Sequence, residues 1–105
     1  MVQINDADKP RLLDAVRVWT GWGKSVMPHR DEAAVKSQFG AEAASRLLPV
    51  LNAVAEDFYS TNARYVTADL AQMGDIAAAD FKAKYPDLPA EVAEAFAWCY
   101  TFDFK

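Results

Sequence analysis

Side chains that could carry out catalysis are few in this chain. The only histidine is His29, within the segment of residues 27–31, and the only cysteine is Cys99. A loop histidine can act as a general base, or as a metal or haem ligand. A zinc site needs three or four ligands, and Cys99 is the one Cys or His that could join His29, so we expect no metal site. An ordinary surface-loop histidine is the alternative.

A nucleophilic Cys99 would require a base such as His29 nearby and an electropositive setting. Its neighbours in the chain are Trp98 and Tyr100, which favour a buried, inert thiol. A single cysteine cannot form an internal disulfide, which fits a reducing compartment. The N-terminus lacks the pattern of a signal peptide, and no apolar run approaches the length of a membrane span. We therefore expect a cytoplasmic protein.

The carboxylates are not spaced for acid–base chemistry or metal binding. Adjacent acids occur at 31–32 and 56–57, but adjacent residues on a helix diverge by about 100°. Glu91 and Glu94 share a face, although no Glu-x-x-His motif accompanies them, and a solvated surface is the simpler interpretation. The sequence thus predicts no catalytic residue and no cofactor, which favours a protein that is not an enzyme.

Aromatic residues near both ends are the most specific pattern. Trp19 and Trp22 lie beside two glycines, and aromatic residues occupy every second position from 96 to 104. Tryptophan in such a place is either a ligand platform or interface hot spot, or part of the core. The candidate binding residues are Trp19, Trp22, His29, Trp98, Tyr100 and Phe102.

Composition limits the classes of partner. The 105 residues carry a net charge of −4, and 52% of them are hydrophobic. Because the basic residues are scattered, nucleic acid is an unlikely partner, and a helix-turn-helix DNA-binding mode is disfavoured. An acidic surface suits solubility or a basic protein partner.

Apolar periodicity predicts a single all-α domain over residues 1–105, a bundle of four to five helices. The first helix ends near Trp22, and the second begins after the capping residue Asp31 and ends at Gly40 in the αL conformation. The third covers about 41–60 with Pro49 facing solvent, or divides in two at Leu48. The fourth covers about 63–84, with its weak point at residues 74–75. These two long helices are expected to form an antiparallel hairpin.

The last segment is ambiguous. Strict alternation over residues 96–104 is typical of a strand, but no breaker separates it from the helical residues before it. A strand there would need a partner strand, and residues 2–4 are the only candidate in the sequence. We therefore favour a helix that starts near Pro89 and continues to about Thr101.

Two functions follow from these observations. The first is a small acidic, non-catalytic binding or regulatory module that acts through protein–protein contact, such as an inhibitor, an antitoxin-like protein or a homodimer joined through its terminal aromatic residues. The second is a helical bundle, either a carrier or a minor enzyme, that binds a small ligand. Its pocket would be lined by Trp19, Trp22 and Trp98, with His29 at the mouth.

Overall fold

The computed structural model describes residues 3–105 and confirms the all-α prediction. Five helices of eight or more residues and one single-turn helix pack around one apolar core, and residues 3–105 contain no strand. The helices are α1 (Lys9–Thr20), α2 (Glu32–Phe39), α3 (Ala41–Tyr59), α4 (Ala63–Val66), α5 (Leu70–Lys84) and α6 (Ala90–Asp103).

Helix α1 buries the apolar stripe that includes Leu12, Val16 and Trp19. It ends two residues earlier than predicted, because Gly21 adopts the left-handed conformation (φ 81°, ψ 8°) and donates its backbone N–H to the Arg17 carbonyl. At the other end, Asp8 occupies the N-cap position without a side-chain capping bond.

Helix α2 confirms its predicted boundaries. The Asp31 carboxylate accepts a hydrogen bond of 2.9 Å from the backbone N–H of Ala34, as an N-cap residue does. Gly40 ends the helix, but with φ 87° and ψ 156° it is not in the predicted αL region. This conformation lets α3 begin at the very next residue.

Helix α3 is continuous, so the division at Leu48 does not occur. Pro49 lies inside the helix with its side chain exposed, as predicted, while Leu47, Leu51 and Phe58 are fully buried. An exposed ring is tolerated because the backbone bond that proline cannot make is then on the side of the helix that faces water.

The predicted single helix over 63–84 is wrong at one point. The chain breaks between α4 and α5, where Thr67 is extended and the Asp69 carboxylate accepts a 3.0 Å bond from the N–H of Gln72. At Gly74, where the weak point was expected, the helix continues. A Cβ there would lie 3.2 Å from Cγ2 of Thr101, so this glycine allows a close approach of α6 and does not break the helix.

The antiparallel pair of neighbouring helices is formed by α5 and α6, not by the two helices predicted. Gly74 lies against Thr101 near one end of the pair, and Phe81 contacts Phe96 further along. Helix α3 contacts both members of this pair through Phe58, whose ring lies against those of Phe81 and Phe96.

The C-terminal segment is helical to Asp103, which confirms the helix over the strand. Val2, part of the proposed partner strand, lies outside the described residues. The alternating aromatic residues point to both sides of α6. Phe96 and Tyr100 are buried, whereas Trp98 and Phe102 are half-buried.

Candidate functional site

His29 holds the end of α1. Its Nδ1 lies 3.0 Å from the carbonyl oxygen of Trp19 and its Nε2 lies 3.1 Å from the hydroxyl of Ser25. A carbonyl oxygen can only accept, so Nδ1–H donates, and in the neutral ring Nε2 then accepts from the serine. The backbone N–H of His29 also donates to the Thr20 carbonyl at 3.0 Å. Both ring nitrogens therefore close the loop that follows α1.

Arg30 links the same loop to two helices. Its guanidinium carbon lies 5.5 Å from the ring centroid of Trp19 and 5.2 Å from that of Tyr59. Both distances are in the range of a cation–π contact. His29 and Arg30 thus join the loop to α1 and α3 through consecutive side chains.

Cys99 is buried near this contact. Burial raises the pKa of its thiol to about 11, and the positive charge of Arg30 opposes that rise. A thiol with this pKa is almost wholly protonated at neutral pH, so it is a poor nucleophile. Among residues 3–105, no group of three or more His, Cys, Asp and Glu side chains could hold a metal ion.

The three predicted tryptophans occupy different places. Trp19 is 1% exposed and packs edge-on against Phe96, so it belongs to the core. Trp22 is half-buried and lines a surface groove of about 670 Å³. Trp98 is half-buried in α6. The groove therefore differs from the predicted pocket, which contained all three tryptophans and His29. The aromatic residues that line the groove are Trp22 and Phe39.

The groove lies between α1 with its following loop and the end of α2. Its walls include Val18, Trp22 and Phe39 as apolar surface, and Asp14, Arg17 and Lys24 as charged surface. The guanidinium carbon of Arg17 lies 5.5 Å from the Trp22 ring centroid. A cation and an aromatic face are therefore presented together on one wall.

Tyr100 and Phe102 have different surroundings. Tyr100 is fully buried, and its hydroxyl accepts a 3.1 Å hydrogen bond from the backbone N–H of Arg64. Phe102 is half-buried, and Nζ of Lys105 lies 4.3 Å from its ring centroid. Tyr100 therefore supports the core and α4 from inside, and Phe102 remains at the surface.

Exposed apolar side chains concentrate around α4. Of the six large hydrophobic residues that are exposed in the described chain, four lie on α4, at the start of α5 and just after α6. We call these four residues the α4 surface: Tyr65, Val66, Leu70 and Phe104. Tyr65 is 77% exposed and Val66 is 62% exposed.

Arg64 joins the two aromatic members of the α4 surface. Its guanidinium carbon lies 4.5 Å from the ring centroid of Tyr65 and 4.6 Å from that of Phe104. Nη2 also donates a 3.1 Å hydrogen bond to the Tyr65 hydroxyl, and hydrogen bonds to Tyr65 and Tyr100 raise the pKa of Arg64. The guanidinium thus lies within cation–π distance of two exposed rings.

The sequence did not single out Tyr65, Val66 or Arg64. Val66 fits the apolar stripe of a long helix over 63–84, and this continuous pattern hid the break at Thr67. One signal could have revealed it: Thr67 and Asp69 are residues that commonly flank a helix start. An exposed position for Val66 follows only once the helix is divided there.

In comparisons with protein-family models, with curated proteins and with solved structures, no match to this chain was found. Within residues 3–105, no helix combines the length and apolar character needed to cross a bilayer.

Proposed function

We propose that this protein is a small, non-catalytic binding module that contacts a protein partner through the α4 surface. The observation that carries the proposal is the exposed pair of rings, Tyr65 and Phe104, that Arg64 contacts next to the exposed Val66. Tyrosine and arginine are enriched among the residues that dominate binding energy at protein interfaces. Large rings that are already held in place lose little conformational freedom when a partner covers them.

The charges at this surface suggest the chemistry of the partner. Arg64 and Lys105 both lie against exposed or half-buried rings, and neither forms an ion pair within residues 3–105. Most of the guanidinium donors of Arg64 remain available for a carboxylate. The partner is therefore a protein segment that presents apolar side chains next to Asp or Glu.

Arg64 and Lys105 carry a charge opposite to the net charge of −4 from which a basic partner was expected. The two neighbouring acids, Asp69 and Asp103, already accept hydrogen bonds from the Gln72 N–H and the Tyr59 hydroxyl. At physiological ionic strength, charges further apart than about 8 Å are largely screened. The charges in direct contact therefore weigh more than the net charge of the chain. A cytoplasmic location and a regulatory role remain predictions.

The test is site-specific cross-linking followed by affinity measurement. A photoreactive phenylalanine analogue replaces Tyr65 in one protein and the exposed Lys82 of α5 in a control. The partner that cross-links from position 65 is identified, purified and titrated against the unlabelled protein. Tyr65→Ala should then weaken binding by about 30-fold, the effect of a hot-spot residue worth about 2 kcal/mol, and Lys82→Ala by less than about 2-fold.

Two results would contradict the proposal. Equal cross-linking from positions 65 and 82 would mean that the α4 surface is not the contact. A monomer–dimer equilibrium in sedimentation that Tyr65→Ala abolishes would identify a second copy of the chain as the occupant, in place of an acidic partner.

A further inference from the structure

The groove beside Trp22 is a second binding feature, separate from the α4 surface. Its volume of about 670 Å³ is within the range of roughly 300–1,000 Å³ that is typical of small-molecule sites. It combines the flat apolar faces of Trp22 and Phe39 with a few charged groups at its edge. Sites for small organic ligands commonly have this composition.

The charged groups of the groove favour an anion. Two cations, Arg17 and Lys24, and one acid, Asp14, line it, although the chain as a whole is acidic. The Arg17 Nη1–Asp14 Oδ1 distance is 4.0 Å, the limit of an ion pair, and both side chains are well exposed, so this pair is weak. Arg17 also offsets the negative end of the α1 dipole. Lys24 forms no ion pair among the described residues and is the cation left for a ligand.

The loop that carries Trp22 and Lys24 is ordered by hydrogen bonds. The backbone N–H of Trp22 donates to the Thr20 hydroxyl at 3.2 Å, and that of Lys24 donates to the Gly21 carbonyl at 3.0 Å. His29 closes the same loop from its other end. The backbone of this wall is therefore fixed before a ligand arrives, which lowers the entropy lost on binding.

We infer that this groove binds a small organic anion with a flat aromatic body. The ring of the ligand lies along Trp22 and Phe39, and its carboxylate faces Nζ of Lys24 with Arg17 beside it. This inference does not depend on the α4 surface, and neither requires the other.

The test uses 2-naphthoate as the probe and 2-naphthamide as its uncharged counterpart. Each is titrated into the ¹⁵N-labelled full chain, and the backbone amides of residues 14–24 and 38–39 and the three tryptophan indole N–H signals are followed by NMR. Naphthoate should shift the Trp22 indole signal with a dissociation constant on the order of 1 mM, and naphthamide should bind about 5-fold more weakly.

Lys24→Gln should weaken naphthoate binding by about 3-fold to 5-fold and leave naphthamide binding unchanged, because one exposed charge pair is lost. Lys36→Gln is the matched control, since Lys36 is an exposed lysine of α2 that does not line the groove. It should change naphthoate binding by less than about 1.5-fold. Both lysines are exposed, so both variants should keep the spectrum of a folded protein.

Three results would overturn the inference. The absence of shifts at groove residues would exclude the site, and equal affinity for the acid and the amide would exclude anion recognition. Equal weakening by the two lysine variants would show only a general effect of net charge.

Discussion

The hydroxyl of Tyr59 donates a 2.6 Å hydrogen bond to Oδ2 of Asp103, which joins the last turn of α3 to the last turn of α6. The same ring packs against Tyr100 and Phe104, and Arg30 lies over it. Burial first, and then the bond to the Asp103 carboxylate, raise the pKa of the Tyr59 phenol above its usual value of about 10. Ionisation of Tyr59 is therefore coupled to unfolding.

Tyr59→Phe should make the protein less sensitive to alkali. In the wild type, the folded state holds the phenol proton at a pH where the unfolded state has released it. The contribution of Tyr59 to the free energy of unfolding is therefore fully present below about pH 10. Above that pH the contribution falls, by at most about 1.4 kcal/mol per pH unit. Urea denaturation between pH 8 and pH 11 measures the slope.

Asp103→Asn is the matched comparison for that experiment. It removes the carboxylate but keeps an acceptor for the hydroxyl, so part of the alkaline slope should remain because burial is the larger cause. A Tyr59→Phe protein with the full wild-type slope would show that Tyr59 is not responsible.

Cys99 should react slowly with iodoacetamide in the folded protein. With its pKa raised to about 11 from a reference of 9.0, it has about 100-fold less thiolate near pH 8 than an unperturbed cysteine, and burial adds a steric barrier. Mass spectrometry over time gives the rate. The control is Val26→Cys in a Cys99→Ala background, because position 26 is 95% exposed. Comparable rates for the two cysteines would contradict a buried thiol.

Gly21→Ala should destabilise the protein more than Gly23→Ala. Both glycines have φ above +80°, which costs about 1 kcal/mol or more for a residue with a Cβ. At Gly21 the Cβ would also lie 2.5 Å from His29 Nε2 and from the Ser25 hydroxyl, whereas at Gly23 nothing lies within 4 Å. In urea denaturation we expect the free energy of unfolding to fall by about 2–4 kcal/mol for Gly21→Ala and by about 1 kcal/mol for Gly23→Ala. Equal losses would mean that the His29 contact gives way freely.

Pro49→Ala should stabilise the protein, by up to about 2 kcal/mol. Alanine restores a backbone hydrogen bond in the interior of α3 and relieves the clash of the ring, an advantage partly offset by a more flexible unfolded chain. Pro10→Ala is the control, because Pro10 occupies the first turn of α1, where the bond is absent in any case. Equal shifts in melting temperature for Pro49→Ala and Pro10→Ala in a thermal melt would count against this explanation.

Local signals were enough to predict several elements. Asp31 and Gly40 fixed the limits of α2, and the lack of a breaker before Phe96 correctly favoured a helix over a strand. In both cases the deciding interaction lies within a few residues of the chain. Short-range chemistry of this kind can be read from sequence directly.

The features that could not be predicted depend on contacts between residues that are distant in the chain. Gly74 resembles a helix breaker in the sequence, but it is a contact point for Thr101, which is far away along the chain. The partner of α5 was misassigned for the same reason, since periodicity gives the apolar face of a helix but not what covers it. Trp22 was recognised as a candidate binding residue, but its neighbour Phe39 comes from α2 and required the fold.

The loop between α1 and α2 is fastened by consecutive side chains, with His29 on the carbonyl of Trp19 and Arg30 over the rings of α1 and α3. The backbone N–H groups of His29 and Asp31 also donate to the carbonyls of Thr20 and Trp19. We therefore expect the amides of this loop to exchange their hydrogens with solvent as one cooperative unit. Any ligand in the neighbouring groove would slow that exchange for the whole loop at once.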